Sequence, residues 1–250
     1  MVTFIIQART GSTRLPQKIL LPFFKEENIL SLLIKKLRKI ENTNIVIATS
    51  INKNCDIIES FANDQKVSCY RGSEEDVLQR FICAAVENNA KDIIRICSDN
   101  PFIELNGLEK LVAEARNNRG KYDYISFKIG EKPSIKTHYG FWGEFVTLEA
   151  LNRIASLTDE PVFHEHVTNY IYSNPSFFSI KWLSPSCDIL RERKIRLTID
   201  TETDFKIAQE LYKKIVQKKE YPEIAEIIEY LDNNPNYYEI MQEQIKQNTK

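Results

Sequence analysis

The chain has 250 residues, enough for one α/β domain with a full core. Its 34 lysines and arginines balance 35 aspartates and glutamates to a net charge of −1, which excludes an overall basic field for nucleic acid. No apolar stretch approaches the about 18 residues that cross a bilayer. The start runs directly into strand-like sequence without a charged leader or cleavage site, so a cytoplasmic protein is expected.

Val2 to Ile6 is short, apolar and β-branched, and reads as a buried first strand. A polar stretch follows, Gln7 to Lys18, with one glycine, Gly11, and three cations, Arg9, Arg14 and Lys18. Gly11 lets backbone turn and approach a ligand, and the cations suit a polyphosphate. It is not a Walker loop: no second glycine precedes Lys18, no Ser or Thr follows it, and Pro22 opposes a helix there. From residue types alone, a basic surface loop reads equally well.

Asn28–Ile40 has helical apolar spacing, and Asn44–Thr49 reads as a second strand running into Ser50. Asn54–Phe61 reads as a short helix and Val67–Tyr70 as a third strand, followed by Arg71-Gly72-Ser73. Glu74–Asn88 is patterned as a helix, with Ser73 as its cap and Asp76 at its third position. Asp92–Cys97 reads as a fourth strand leading to Ser98-Asp99-Asn100-Pro101. The alternation predicts a parallel sheet covered on both faces, with the ligand beyond the carboxyl ends of the strands.

The second half is less regular. Strands are expected at Tyr122–Phe127, Phe177–Trp182 and Ile195–Ile199, with helices at Phe145–Ile154, Glu165–Tyr172, 202–214 and 223–232. Glu131–Trp142 reads as loop, and the tail from 235 to 250 as a fraying helix. No linker is visible, so residues 1–250 read as a single domain, with roughly 130–190 inserted on its edge. Cys55, Cys69, Cys83, Cys97 and Cys187 lack C-x-x-C spacing and fit buried thiols, Cys97 as core. Asp99 and Asp200 each end an apolar run at the presumed ligand edge and are candidate Mg²⁺ ligands, with Asp204 as an alternative. Each alone also reads as a turn residue or cap.

Ala8-Arg9-Thr10-Gly11-Ser12-Thr13-Arg14-Leu15-Pro16-Gln17-Lys18-Ile19-Leu20 resembles the opening signature A-R-x-G-S-x-R-L-P-x-K-x-L of the acylneuraminate and Kdo cytidylyltransferase superfamily. It is most similar to the branch named after the spore coat polysaccharide protein SpsF. Further segments resemble that branch in order: Arg71–Phe81 (G-S-E-E-D-V-L-x-R-[FY]), Arg95–Ile103 (R-x-T-x-D-x-P-L-I), Glu165–Ile171 (E-H-V-T-P-Y-I) and Arg196–Phe205 (R-L-T-V-D-T-x-x-D-[FY]). Two departures fall in the second half. Trp142 replaces the inner acid of D-G-L-D-V-E-V-F, and His164 stands where an arginine is usual.

The resemblance implies a Rossmann-like nucleotide-diphospho-sugar transferase (GT-A-like) α/β fold, with a mostly parallel sheet and helices on both faces. It implies a Mg²⁺-dependent enzyme joining CTP to a small acidic sugar, with pyrophosphate released, for surface polysaccharide. Carried over, Arg9, Arg14 and Lys18 would hold the triphosphate and act catalytically. Ala8, Arg9, Gly11, Ser12, Lys18, Ser50, Arg71, Gly72 and Ser73 would bind the nucleotide. Asp99 and Asp200 would bind the metal, and Glu144 and His166 would face the acceptor. A lone helical His is otherwise a structural residue. A homodimer is implied, without membrane or nucleic-acid partners. The competing readings are a glycosyltransferase, for which Asp99 stands in place of a D-x-D pair, and a non-catalytic nucleotide-binding partner.

Overall fold

The computed structural model describes residues 1–185 and 193–248. The apolar run forms β1 (Val2–Gln7), and the basic loop after it leads to a small hairpin, β2 (Pro22–Phe24) and β3 (Glu27–Asn28). Helix α1 (Ile29–Leu37) begins where the Asn28 side chain accepts from Ser31 N–H. Then come β4 (Thr43–Ser50), α2 (Asp56–Asp64), β5 (Ser68–Gly72), α3 (Val77–Glu87) and β6 (Asp92–Cys97). The second half holds α4 (Leu105–Asn117), β7 (Tyr124–Ile129), β8 (Lys132–Pro133), β9 (Glu144–Thr147) and α5 (Leu148–Leu157). It closes with α6 (Pro161–Glu165), α7 (Asn169–Ser173), β10 (Ile180–Leu183), α8 (Glu202–Val216), α9 (Ile224–Asp232) and α10 (Asn236–Gln247).

The sheet runs β10-β7-β9-β6-β1-β4-β5, with β8 paired to β7. β1 is central and parallel to both β4 and β6; only β9 reverses within the main path, antiparallel to β6 and β7. The carboxyl ends of β1, β4, β5 and β6 therefore share one edge, and Glu144, opposite Arg95, begins β9 near it. Alternation along β1 divides the core. Val2, Phe4 and Ile6 face α1, α2, α4, α8, α9 and α10, whereas Ile5 faces α3, α5 and α7. Each fully buried side chain of the size of Phe4 or Ile6 contributes about 1.5–3 kcal/mol.

Several expectations need correction. Ser73 is not the cap of α3; Asp76 is, accepting from Gln79 N–H at 2.8 Å, while Ser73 Oγ accepts from Asp76 N–H. Phe145–Ile154 divides into β9 and α5, with Thr147 capping the helix. Glu165–Tyr172 is broken between α6 and α7 at residues 166–168, and α4 adds a helix that was not expected. Ile195–Ile199 joins no ladder: its N–H groups tie loops, Leu197 and Thr198 to the His138 carbonyl and Ile199 to the Asp99 carbonyl. Within the expected tail, α10 packs on the domain through buried Tyr237, Met241 and Gln244, and residues 249–250 lie outside the described residues. Of the cysteines, Cys55 is fully buried, while Cys69, Cys83 and Cys97 are half-buried; Cys187 lies outside the described residues.

Candidate active site

The loop after β1 is braced from below. Ala8 is buried and its N–H continues the ladder to the Ala48 carbonyl, so that group is spent on structure. Thr10 Oγ1 donates to the Asn54 carbonyl at 2.9 Å, and Gln17 N–H closes the loop onto the Thr10 carbonyl. The left-handed residue is Gln17, at φ 55°, and Gly11 has another reason to be glycine. A Cβ there would stand 3.2 Å from Glu74 Oε1. Ser12 is half-buried beside it.

The loop's cations reach two carboxylates from distant segments. Lys18 Nζ lies 3.4 Å from Asp99 Oδ2 and 3.8 Å from Asp200 Oδ1, and also donates to the Ile199 carbonyl. Arg14 stands 3.6 Å from Asp200 Oδ1 and donates to Asn248 Oδ1 after α10. Arg9 lies 3.4 Å from Glu74 Oε1. Asp99 follows β6, and Asp200 precedes the Thr201–Asp204 capping box of α8, so ordinary helix-start chemistry places it.

Asp204 is withdrawn from any ligand role. It takes a two-pronged pair from Arg196, at 2.7 and 2.9 Å, and accepts from the N–H groups of Asp200 and Thr201. Arg196 also holds Asp200 Oδ2 at 2.9 Å and meets His138 Nδ1. Burial alone would pull the Arg196 guanidinium down, but Asp204 and Asp200 raise it. One oxygen of Asp200 thus stays on Arg196 while the other faces Lys18 and Arg14.

Two expected ligands are occupied elsewhere. The Arg71 guanidinium donates to the carbonyls of Ser50, Ile51 and Asn52 and to Glu59 and Asp56, tying β5 to α2. Glu144 is buried, and its oxygens accept from Arg95 at 2.7 Å, from Thr168 Oγ1 and from Tyr124 OH. It is a partner of Arg95, not a group facing an acceptor. Burial, then Glu144, drives the Tyr124 phenol well above its ordinary value. Arg95 in turn grips Gln7 Oε1 with two N–H groups at 3.2 and 2.9 Å, fixing the last residue of β1.

Ser50 is buried, with Oγ accepting from Asn52 N–H. Gly72 packs on Arg80, where a Cβ would meet Arg80 Cγ at 3.0 Å, and Ser73 gives its carbonyl to Arg80. His166 is exposed at the end of α6. The two departures make internal contacts: Trp142 is buried and stacked on Phe127, and His164 bridges Asp76 and the Thr158 carbonyl, each at 2.9 Å. Sequence reading missed the supporting roles of Arg95 and Arg196, although both lie inside the quoted motifs.

A cytidylyltransferase family profile matches residues 3–228. The chain belongs to the cytidylyltransferase family. This cytidylyltransferase is 33% identical over 243 residues to the spore coat polysaccharide biosynthesis protein SpsF of Bacillus subtilis, covering 94% of this chain and 95% of that one. A cytidylyltransferase from Leptospira borgpetersenii superposes with a TM-score of 0.81 at 30% identity, over 95% and 96% of the two chains. A CMP:2-keto-3-deoxy-manno-octonic acid synthetase complexed with CTP shares the fold, with a TM-score of 0.62 at 13% identity over 85% and 98%. The SpsF-type resemblance and the Rossmann-like α/β fold both stand, and the protein is a nucleotidyltransferase. Among the described residues no helix is long and apolar enough to cross a membrane.

Proposed function

We propose that this cytidylyltransferase uses CTP and Mg²⁺ to transfer a cytidylyl group to an oxygen of a small acidic sugar, releasing pyrophosphate, in surface polysaccharide synthesis. The observation that carries this reading is the meeting of Lys18 with Asp99 and Asp200 at the carboxyl edge of the sheet. Such a reaction is mainly one of position and charge. Lys18, Arg14 and Arg9 hold the triphosphate, and their charge offsets that developing on the pyrophosphate leaving group. The backbone from Gly11 to Ser12 approaches the nucleotide, while Ala8, Ser50, Arg71, Gly72 and Ser73 act as its frame, given the contacts that occupy them.

The residues present fit a magnesium ion. Mg²⁺ takes one or two carboxylates plus water and phosphate oxygens, and Asp99 and Asp200 supply two from separate segments, with Asp204 withheld by Arg196. When bound there, the ion neutralises phosphate oxygens. Lys18 Nζ lies within 4 Å of both carboxylates, and with nucleotide bound its ammonium would turn to phosphate.

The part from roughly 130 to 190 forms the acceptor side of what we take to be a single domain, with His166 facing the acceptor and Glu144 supporting it through Arg95. A homodimer in the cytoplasm completes the reading, and light scattering tests the dimer. For the reaction, the protein is incubated with CTP, Mg²⁺ and a panel of acidic sugars that includes 2-keto-3-deoxy-manno-octonic acid. Pyrophosphate release that needs both CTP and Mg²⁺ is expected, with Lys18→Ala at least about a hundredfold slower. Release unaltered by that change would overturn the assignment.

A further inference from the structure

We propose that the side-chain amide of Gln7 binds the acceptor, donating from Nε2 to the carboxylate of the acidic sugar. The inference rests on the reading above and adds a residue which that reading leaves without a role.

Gln7 is the last residue of β1, at the carboxyl edge of the sheet, between Ala48 of β4 and Cys97 of β6. Alternation along β1 puts its side chain on the Ile5 face, which α3, α5 and α7 cover. Both α5 and α7 belong to the part assigned to the acceptor. Asp200 lies towards the opposite face, since Ile199 before it and Phe205 after it pack in the cluster of Ile6. Gln7 therefore borders the phosphate edge from the acceptor side, away from the Lys18 pairs.

Arg95 decides which way the amide points. Its Nε and Nη2 both donate to Gln7 Oε1, at 3.2 and 2.9 Å. A guanidinium has no acceptor, so the amide oxygen faces it and the amide nitrogen faces away. Arg95 is itself held: Nη1 donates to Glu144 Oε2 at 2.7 Å and lies 3.4 Å from Thr168 Oγ1, and all three side chains are buried. Thr168 follows His166 by two residues, so Gln7 and the turn between α6 and α7 meet on one guanidinium.

The amide nitrogen carries two N–H donors, and no group among the described residues accepts from it. Gln7 is half-buried, and Nε2 is open to solvent. A donor oriented before any ligand arrives suits an oxygen that accepts, and an ionised carboxylate is the strongest such partner.

The test compares the wild type with Gln7→Ala, which removes the donor, and Gln7→Glu. The second keeps an oxygen for the Arg95 fork and sets a charged acceptor where the donor stood. Pyrophosphate release is followed with CTP and Mg²⁺ while each acid of the panel is varied, 2-keto-3-deoxy-manno-octonic acid first, and CTP binding is measured by calorimetry. The KM for the acid is expected to rise about tenfold in Gln7→Ala and further in Gln7→Glu. CTP affinity stays at the wild-type value in both. An unchanged KM in both variants would overturn the role of Gln7 and leave the CTP reading standing. A milder effect of Gln7→Glu than of Gln7→Ala would also overturn it, because the amide would then face a hydroxyl, which donates as well as accepts. Weakened CTP binding would overturn it too, because the amide would then face the nucleotide. Failure of the wild type to bind CTP, or to release pyrophosphate with any of the acids, would remove the underlying reading and this inference with it.

Discussion

Lys18 Nζ lies 3.4 Å from Asp99 Oδ2, although 81 residues of chain separate them. The Lys18 side chain is only 12% exposed, and its ammonium also lies 3.8 Å from Asp200. Neutralising one acid leaves Lys18 paired with the other, so Asp99→Asn should fold with a melting temperature close to that of the wild type. Its pyrophosphate release should fall by about a hundredfold or more if the proposed Mg²⁺ site is right, because a neutral amide replaces the carboxylate. Turnover assays at saturating CTP with matched melting curves check both halves of that expectation.

The Arg95–Glu144 pair makes the opposite prediction, large for stability. Both side chains are buried, and Glu144→Ala strands the Arg95 charge, at a cost of about 3–5 kcal/mol. For a chain of this size the melting temperature should fall by roughly 6 °C or more. Arg95→Met combined with Glu144→Leu should recover part of that loss, since no unpaired charge is left. Calorimetric unfolding of the single and double variants measures the difference.

His164 joins α6 to the start of α3 and is sensitive to pH. The Thr158 carbonyl, and after it the Asp76 carboxylate, accept from its ring and raise its folded pKa above 6.5 against the effect of burial; Asp159 adds in the same direction. A raised folded pKa gives stability that is fully present below about 6.5 and is lost as pH rises through the folded value. The gap in melting temperature between wild type and His164→Ala should therefore be wider at roughly pH 6 than at roughly pH 8. A gap that widens with pH would contradict the bridge.

Gly107, inside α4, lies against the Trp142 indole. Gly to Ala within a helix ordinarily gains about 1 kcal/mol. Here the new Cβ would stand 2.7 Å from Trp142 Cδ1, and the ring cannot yield because Phe127 is stacked on it and Phe141 meets it edge-on. Overpacking of that kind costs about 1–3 kcal/mol, so Gly107→Ala should lower the melting temperature instead of raising it.

The half from β1 to β6 was legible, apart from the β2–β3 hairpin, because β1, β4 and β6 are rich in β-branched residues and the helices carry one apolar face. β9 was not: Phe145–Thr147 read as the start of the helix expected at Phe145–Ile154, and the partner of Glu144, Arg95, lies 49 residues away. Ile195–Ile199 has the composition of a strand, but its hydrogen bonds go to the carbonyls of His138 and Asp99. At the site, the cations and Asp99 and Asp200 could be named from position along the chain. Residue type could not tell that Arg71 is consumed by Asp56 and Glu59, or that Arg196 holds Asp204 away from the site. Those facts depend on side chains that only the fold brings together.

Thermal unfolding with CTP, with and without Mg²⁺, tests the central claim most directly. A nucleotide at about a hundred times its dissociation constant adds roughly 2.7 kcal/mol. For this chain that is a rise of about 5–10 °C, expected with CTP and Mg²⁺ together, smaller with CTP alone and reduced by Lys18→Ala. An unchanged melting temperature at millimolar CTP and Mg²⁺ would contradict the assignment of the Gly11–Lys18 loop as the nucleotide site.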